Sequence, residues 1–147
     1  MNFMANRQYK DTVFRAFFNH EREIAELYQA IRPEDDVRAE DITITTLDDV
    51  FLDQQKNDLS FLWKDQSVVL VEHQSSLNPN MPYRLLIYSA LVMLASFADS
   101  KALYGTKLVK IPAPHFYVLY IGDDMEQDEE TLKLSATFKE KGADLEL

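Results

Sequence analysis

The chain of 147 residues contains no cysteine. Disulfides and thiolate metal sites are thereby excluded, and the composition fits a reducing, cytoplasmic compartment. Histidine is scarce: His20, His73 and His115 are the only three, and no two stand at a zinc-ligand spacing. Any bound metal is therefore expected to be a hard ion held by oxygen atoms. Long apolar runs are also lacking. The longest, Leu85 to Ala98, is interrupted by Tyr88, Ser89 and Ser96, and is too short and mixed to span a bilayer. The segment after Met1 has no apolar stretch of the signal-peptide kind. The expectation is a soluble, cytoplasmic protein with no membrane partner.

Positive charge is in deficit. Lys and Arg number 15 against 25 Asp and Glu, a net charge of −10, which argues against a general nucleic-acid coat protein. The imbalance is uneven: Ile111 to Leu147 holds nine acids and three bases. An acidic chain can still bind DNA if metal ions and a local basic rim offset the repulsion. What is present in quantity is apolar material. Hydrophobic residues make up 46% and aromatic residues 12%, enough for one core in a single domain over residues 1–147.

Hydrophobic periodicity places the elements. Val13, Phe14, Phe17, Phe18, Ile24, Leu27, Tyr28 and Ile31 recur at three- and four-residue spacing, predicting an amphipathic helix over Tyr9 to Ile31, or two shorter helices broken near His20 to Glu23. Asp41 to Thr46 alternates with β-branched residues, as a short strand does. Leu47 to Lys56 reads as a connector. Asn57 to Trp63 alternates again, Lys64-Asp65-Gln66 suits a tight turn, and Ser67 to Gln74 carries the apolar run Val68 to Val71 of a central strand. Asn80 and Pro82 open a long helix running to about Ser100. Gly105 to Pro114 connects to a strand over His115 to Ile121. Gly122 to Asp128 is an acidic loop, without the spacing or glycine of an EF-hand. Thr131 to Lys139 reads as a short helix, and Asp144 to Leu147 as the opening of a strand. The order αβββαβ(α) implies an α/β fold: a mixed central sheet, three strands in an antiparallel meander, flanked by helices.

One constellation carries chemistry. With Lys64 to Gln66 as the turn, Asp58 falls opposite Glu72, and opposed residues have β-carbons about 4.5–5.5 Å apart. Two carboxylates so close repel unless a cation lies between them or one is protonated. Glu72 and Gln74 are two apart and share a face, so Asp58, Ser60, Glu72 and Gln74 stand together. Mg²⁺, with Mn²⁺ as substitute, takes oxygen ligands and keeps several waters. Asp58, Glu72 and the backbone carbonyl of His73 suit such a half-site, with Gln74 placed to orient a water or touch a phosphate. The same residues also suit a solvated strand end. Asp-x(13)-Glu-x-Gln is a weak pattern, and spacing alone leaves both readings open.

Three stretches together resemble a known family. They are Asn57-Asp58-Leu59-Ser60, then Val69-Leu70-Val71-Glu72-His73-Gln74-Ser75-Ser76, then Met81-Pro82-Tyr83-Arg84 with Tyr88. The chain resembles the Rpn/YhgA-like recombination-promoting nucleases and transposase relatives of the PD-(D/E)XK superfamily. Tyr9 to Arg15 and Ile111 to Tyr120 are similar to that family's opening helix and its later Pro-rich strand entry, so the likeness covers nearly the whole chain. The resemblance implies a restriction-endonuclease-like core and a Mg²⁺-dependent DNA endonuclease acting in recombination or transposition. Asp58 matches the family's metal-binding Asp, and Glu72 with Gln74 its Glu-x-Lys/Gln pair. The superfamily more often has Lys at the last position, and Gln offers a dipole in place of a full charge.

Further candidates follow. Arg84 and Tyr88 share a helix face; phosphate contact or support of Glu72 and Gln74 is one reading, an ion pair with the sheet carboxylates the other. Glu26 on the first helix is an accessory metal-ligand candidate, with a solvated face as the plainer alternative. His73 alternates away from Glu72 into packing or solvent. Two non-enzymatic alternatives stay open. One is a catalytically weak or inactive nuclease-fold module that binds nucleic acid or protein, favoured by Gln74, the acidity and a C-terminus expected to be truncated relative to the family. The other is a homo-oligomer joined through an exposed sheet edge.

Overall fold

The computed structural model describes residues 12–46, 58–97, 100–123, 125 and 128–142. The expected connector Leu47 to Lys56 and the expected strand opening Asp144 to Leu147 lie outside them. The described residues form an α/β fold: a four-stranded mixed sheet flanked by helices. The strands are β1 (Ile42–Ile44), β2 (Leu59–Trp63), β3 (Ser67–Gln74) and β4 (Ala113–Tyr120), and they lie in the spatial order β1-β2-β3-β4. The first three are antiparallel and β4 runs parallel to β3. A parallel neighbour requires a crossover. It contains α2 (Met81–Phe97) and the short α3 (Ser100–Leu103).

The N-terminal helical region is two pieces. Residues 12–17 are helical, and α1 (Glu21–Ile31) follows a break at 18–20. His20, extended at φ −128°, stands at the N-cap, and Glu21 and Glu23 occupy the first turn, where negative charge favours the helix dipole. The expected continuous apolar face is narrower than its spacing suggests. Phe14, Ile24 and Tyr28 are buried, whereas Val13 and Phe17 are exposed. The helix expected over Thr131 to Lys139 is reduced to a 3-10 turn, Leu134–Thr137, which packs against α2.

β3 is the centre of the molecule. Val68 to Glu72 are all buried, which suits a strand covered on both faces. On one face Ile24, Ala25 and Tyr28 of α1 pack on Leu59, Phe61, Val69 and Val71. On the other, Met81, Leu85, Tyr88 and Val92 of α2 pack on Leu62, Val68 and Leu70. Each such aliphatic side chain contributes about 1.5–3 kcal/mol when fully buried. The β2–β3 turn closes as expected: Gln66 N–H donates to the Trp63 carbonyl at 3.1 Å. Lys64 and Asp65 both take φ 53°, the left-handed pair whose twist matches a hairpin.

β4 is an edge strand among the described residues. Ala113 N–H donates to Gln66 and Ile121 N–H to Gln74, so odd-numbered N–H groups face β3 and even-numbered ones face outward. Pro114 falls at an outward position, where its missing N–H removes no ladder bond.

Candidate functional site

The hairpin register pairs Leu59 with Val71 and Trp63 with Ser67. Continued by one residue, it sets Asp58 opposite Glu72. The two acids are interlocked. Asp58 N–H donates to Glu72 Oε1 at 3.1 Å, and His73 N–H donates to Asp58 Oδ2 at 2.8 Å. Each carboxylate thus receives a backbone N–H from across the hairpin. Glu72 is only 1% exposed.

Strand alternation puts Glu72 and Gln74 on the α2 face, with Leu70 beneath them. It puts His73 on the α1 face, where its ring stacks on Phe14 with centroids 5.0 Å apart. The backbone of β3 alternates too. Even-numbered carbonyls accept from β4, so the His73 carbonyl faces the strand that carries Asp58. Gln74 is half-buried and pairs in the parallel register with Tyr120.

Among the described residues, the first turn of α2 brings a cation to the site. Asn80 stands at the N-cap position, its carbonyl accepting Arg84 N–H, and Asn78 Oδ1 accepts Asn80 N–H at 3.0 Å. This start directs Arg84 toward the sheet. Its Nη2 lies 3.5 Å from Glu72 Oε2 and donates to the Tyr88 hydroxyl at 3.2 Å, while Nη1 approaches Met81 Sδ at 3.3 Å. Burial disfavours the charge on Arg84. The Tyr88 hydrogen bond and the Glu72 and Asp58 carboxylates more than offset that, and hold its pKa above the usual guanidinium range. Tyr88 is both packing and partner: it is buried in the α2 core layer and accepts from Arg84.

Two of the sequence candidates take other places. Glu26 is not brought to the site. It is exposed on α1, whose buried face packs on the opposite side of the sheet, and pairs with Arg22 at 3.4 Å. Ser60 shares the face of Asp58 but is occupied by β1 and the residues after it. Thr45 Oγ1 donates to Ser60 Oγ, and Thr46 Oγ1 to the Ser60 carbonyl, each at 3.1 Å. One residue not singled out from the sequence joins the site end of the sheet. Tyr120 lies beside Gln74 on the α2 face, with a buried hydroxyl that has no hydrogen-bond partner among the described residues. A β-carbon on Gly122 would meet the hydroxyl end of the Tyr120 ring, so a side chain there would make the tyrosine shift.

Among the described residues, no group of three or more acidic or histidine side chains forms a ready metal cage. The donor set is two interlocked carboxylates and a carbonyl, all hard oxygen atoms, with a guanidinium against one of them. That set suits a hard divalent ion completed by water, and does not suit zinc or another soft ion. No helix among the described residues is long and apolar enough to cross a membrane. No protein-family model, curated protein or solved structure matches the chain.

Proposed function

We propose that the chain is a metal-dependent DNA endonuclease with a restriction-endonuclease-like core of the PD-(D/E)XK type, related to the Rpn/YhgA-like recombination nucleases. The observation that carries this reading is the interlocked pair: two carboxylates opposed across a hairpin at the end of a buried central strand, with Gln74 two residues beyond. Ordinary strand ends place such groups in water. Here Glu72 is buried and faces a second carboxylate, a pair that calls for positive charge, of which the partly exposed Arg84 guanidinium supplies a share.

In this reading Asp58, Glu72 and the His73 carbonyl hold Mg²⁺ or Mn²⁺. Bound there, the ion supplies Lewis acidity toward a phosphate and acidifies a water to the point of attack. The backbone N–H bonds to Asp58 and Glu72 fix the two carboxylates before any ligand arrives, so little ordering remains to be done on binding. Gln74, on the same face, offers an amide to orient the attacking water or contact the scissile phosphate. Arg84 supplies the full positive charge that a Lys would carry at the Gln74 position.

The test is cleavage of supercoiled plasmid by the purified chain with Mg²⁺ or Mn²⁺. Conversion to nicked and linear forms is expected, with a loss of at least 100-fold in Asp58→Ala, a scale set by removal of a group that stabilises the transition state. Equal cleavage by wild type and Asp58→Ala would contradict the reading. A second reading is favoured by Gln74 itself: a nuclease-fold module that binds nucleic acid or protein without cleaving. It predicts metal-independent DNA retention and no plasmid conversion.

A further inference from the structure

We infer that Arg84 is a resident counter-ion of Glu72 and competes with a divalent cation for that carboxylate, so that loading the site requires the guanidinium to give up Glu72. The inference rests on the metal-dependent reading proposed above and concerns how that site is regulated.

The two oxygens of Glu72 have different neighbours. Oε1 is engaged by Asp58 N–H inside the hairpin. Oε2 faces Arg84 Nη2. A divalent ion that draws on Glu72 without breaking the hairpin bond takes Oε2, the atom the guanidinium already neutralises. Two cations on one carboxylate oxygen repel strongly in a site with little water, so one displaces the other. Arg84 is suited to be the one that leaves. Its side chain is 35% exposed, against 1% for Glu72, so it has an open side to move into. Tyr88 and Met81, from its own helix, brace the guanidinium in the position where it meets Glu72, so loosening that brace favours the exchange.

The exchange has a consequence for substrate. While paired with Glu72, Arg84 is neutralised and attracts anions weakly. Displaced by the ion, it becomes an available planar donor for a phosphate at the same end of the sheet, and guanidinium matches phosphate geometry. Cation loading and phosphate capture are thereby coupled, and the site resists polyanions until the cation is in place.

Calorimetric titration of Mn²⁺ into the wild type, Arg84→Met and Tyr88→Phe tests this. Methionine keeps the apolar stem and removes the charge. Mn²⁺ is expected to bind Arg84→Met at least tenfold more tightly than wild type. It is expected to bind Tyr88→Phe about two- to threefold more tightly, since the latch on the guanidinium is loosened. The thermal midpoint of Arg84→Met is expected to rise more on adding Mn²⁺ than that of wild type. If wild type binds Mn²⁺ and both folded variants bind it equally or more weakly, the competition is overturned while the metal site stands. If no form binds Mn²⁺, the metal reading falls and this inference with it. Should Arg84→Met not fold, the Tyr88→Phe titration decides on the same criterion.

Discussion

At the scale of single residues, the site is a balance among Asp58, Glu72 and Arg84. Replacing Glu72 by Gln preserves volume and leaves the half-buried guanidinium without its partner. Glu72→Gln is expected to lower stability by about 1–3 kcal/mol, read by urea denaturation, and to abolish Mn²⁺ binding in the same preparation. The facing of Asp58 and Glu72 is legible in the sequence, because it needs only a turn at Lys64 to Gln66 and the two-residue period of a strand. The orientation of His73 follows from the same period. The Arg84–Glu72 pair is legible only as one of two alternatives, since helix periodicity says which residues share a face and not what that face covers. Glu26 fails as a ligand for the same reason: its helix settles on the other side of the sheet. Tyr120 is invisible beforehand because its place beside Gln74 depends on the parallel register of β4, which no local pattern encodes.

At the scale of elements, the hairpin that positions the acids has a correctable weakness. Lys64 and Asp65 both adopt φ 53°, a conformation that costs a residue with a β-carbon roughly 1–2 kcal/mol. Asp65→Gly is expected to stabilise the chain by about 1 kcal/mol, measured as a raised urea midpoint at unchanged slope. Lys64 is the poorer position to change, since its ammonium lies 4.7 Å from the centre of the Trp63 ring and contributes a cation–π contact. The packing of α1 makes a second prediction. Burial pushes the Tyr28 phenol up to about 12, with the neighbouring Tyr117 acting in the same direction. A phenol whose pKa is higher folded than unfolded adds stability that is complete below its ordinary value near 10. That contribution is lost as pH rises through the folded value. Stability is therefore expected to fall between about pH 10 and 12, and Tyr28→Phe, with no proton to lose, is expected to flatten that fall. Urea midpoints across the range check it. Most strands were legible because β-branched and apolar runs bounded by polar turns mark them, and β4 starts only two residues earlier than its pattern suggests. The N-terminal helix was less legible. Its apolar spacing continues through a break at 18–20, so that the alternative of two shorter helices is the one the described residues take, with Val13 and Phe17 exposed.

At the scale of the whole molecule, shape and charge pull in different directions. The sheet ends its central strand at Gln74, and β4 leaves the sheet at the same end into the acidic stretch that begins at Asp123. A chain of net charge −10 concentrates cations around itself and repels a free polyanion. Both effects suit a site that is filled by a divalent ion before it meets a phosphate backbone. They also define the rival outcome, in which the acidic stretch gathers cations and the hairpin pair does not. The mixed sheet and its flanking helices were readable from the patterns along the chain. The direction of the charge asymmetry relative to the site required the fold. The measurement that tests the central claim most directly is a crystal structure of the chain with Mn²⁺, read by anomalous scattering. The account predicts one peak between the Asp58 and Glu72 carboxylates, about 2.0–2.3 Å from their oxygens as for hard divalent ions, with Arg84 turned away from Glu72. No peak there, or manganese found only along Asp123 to Glu130, would contradict it.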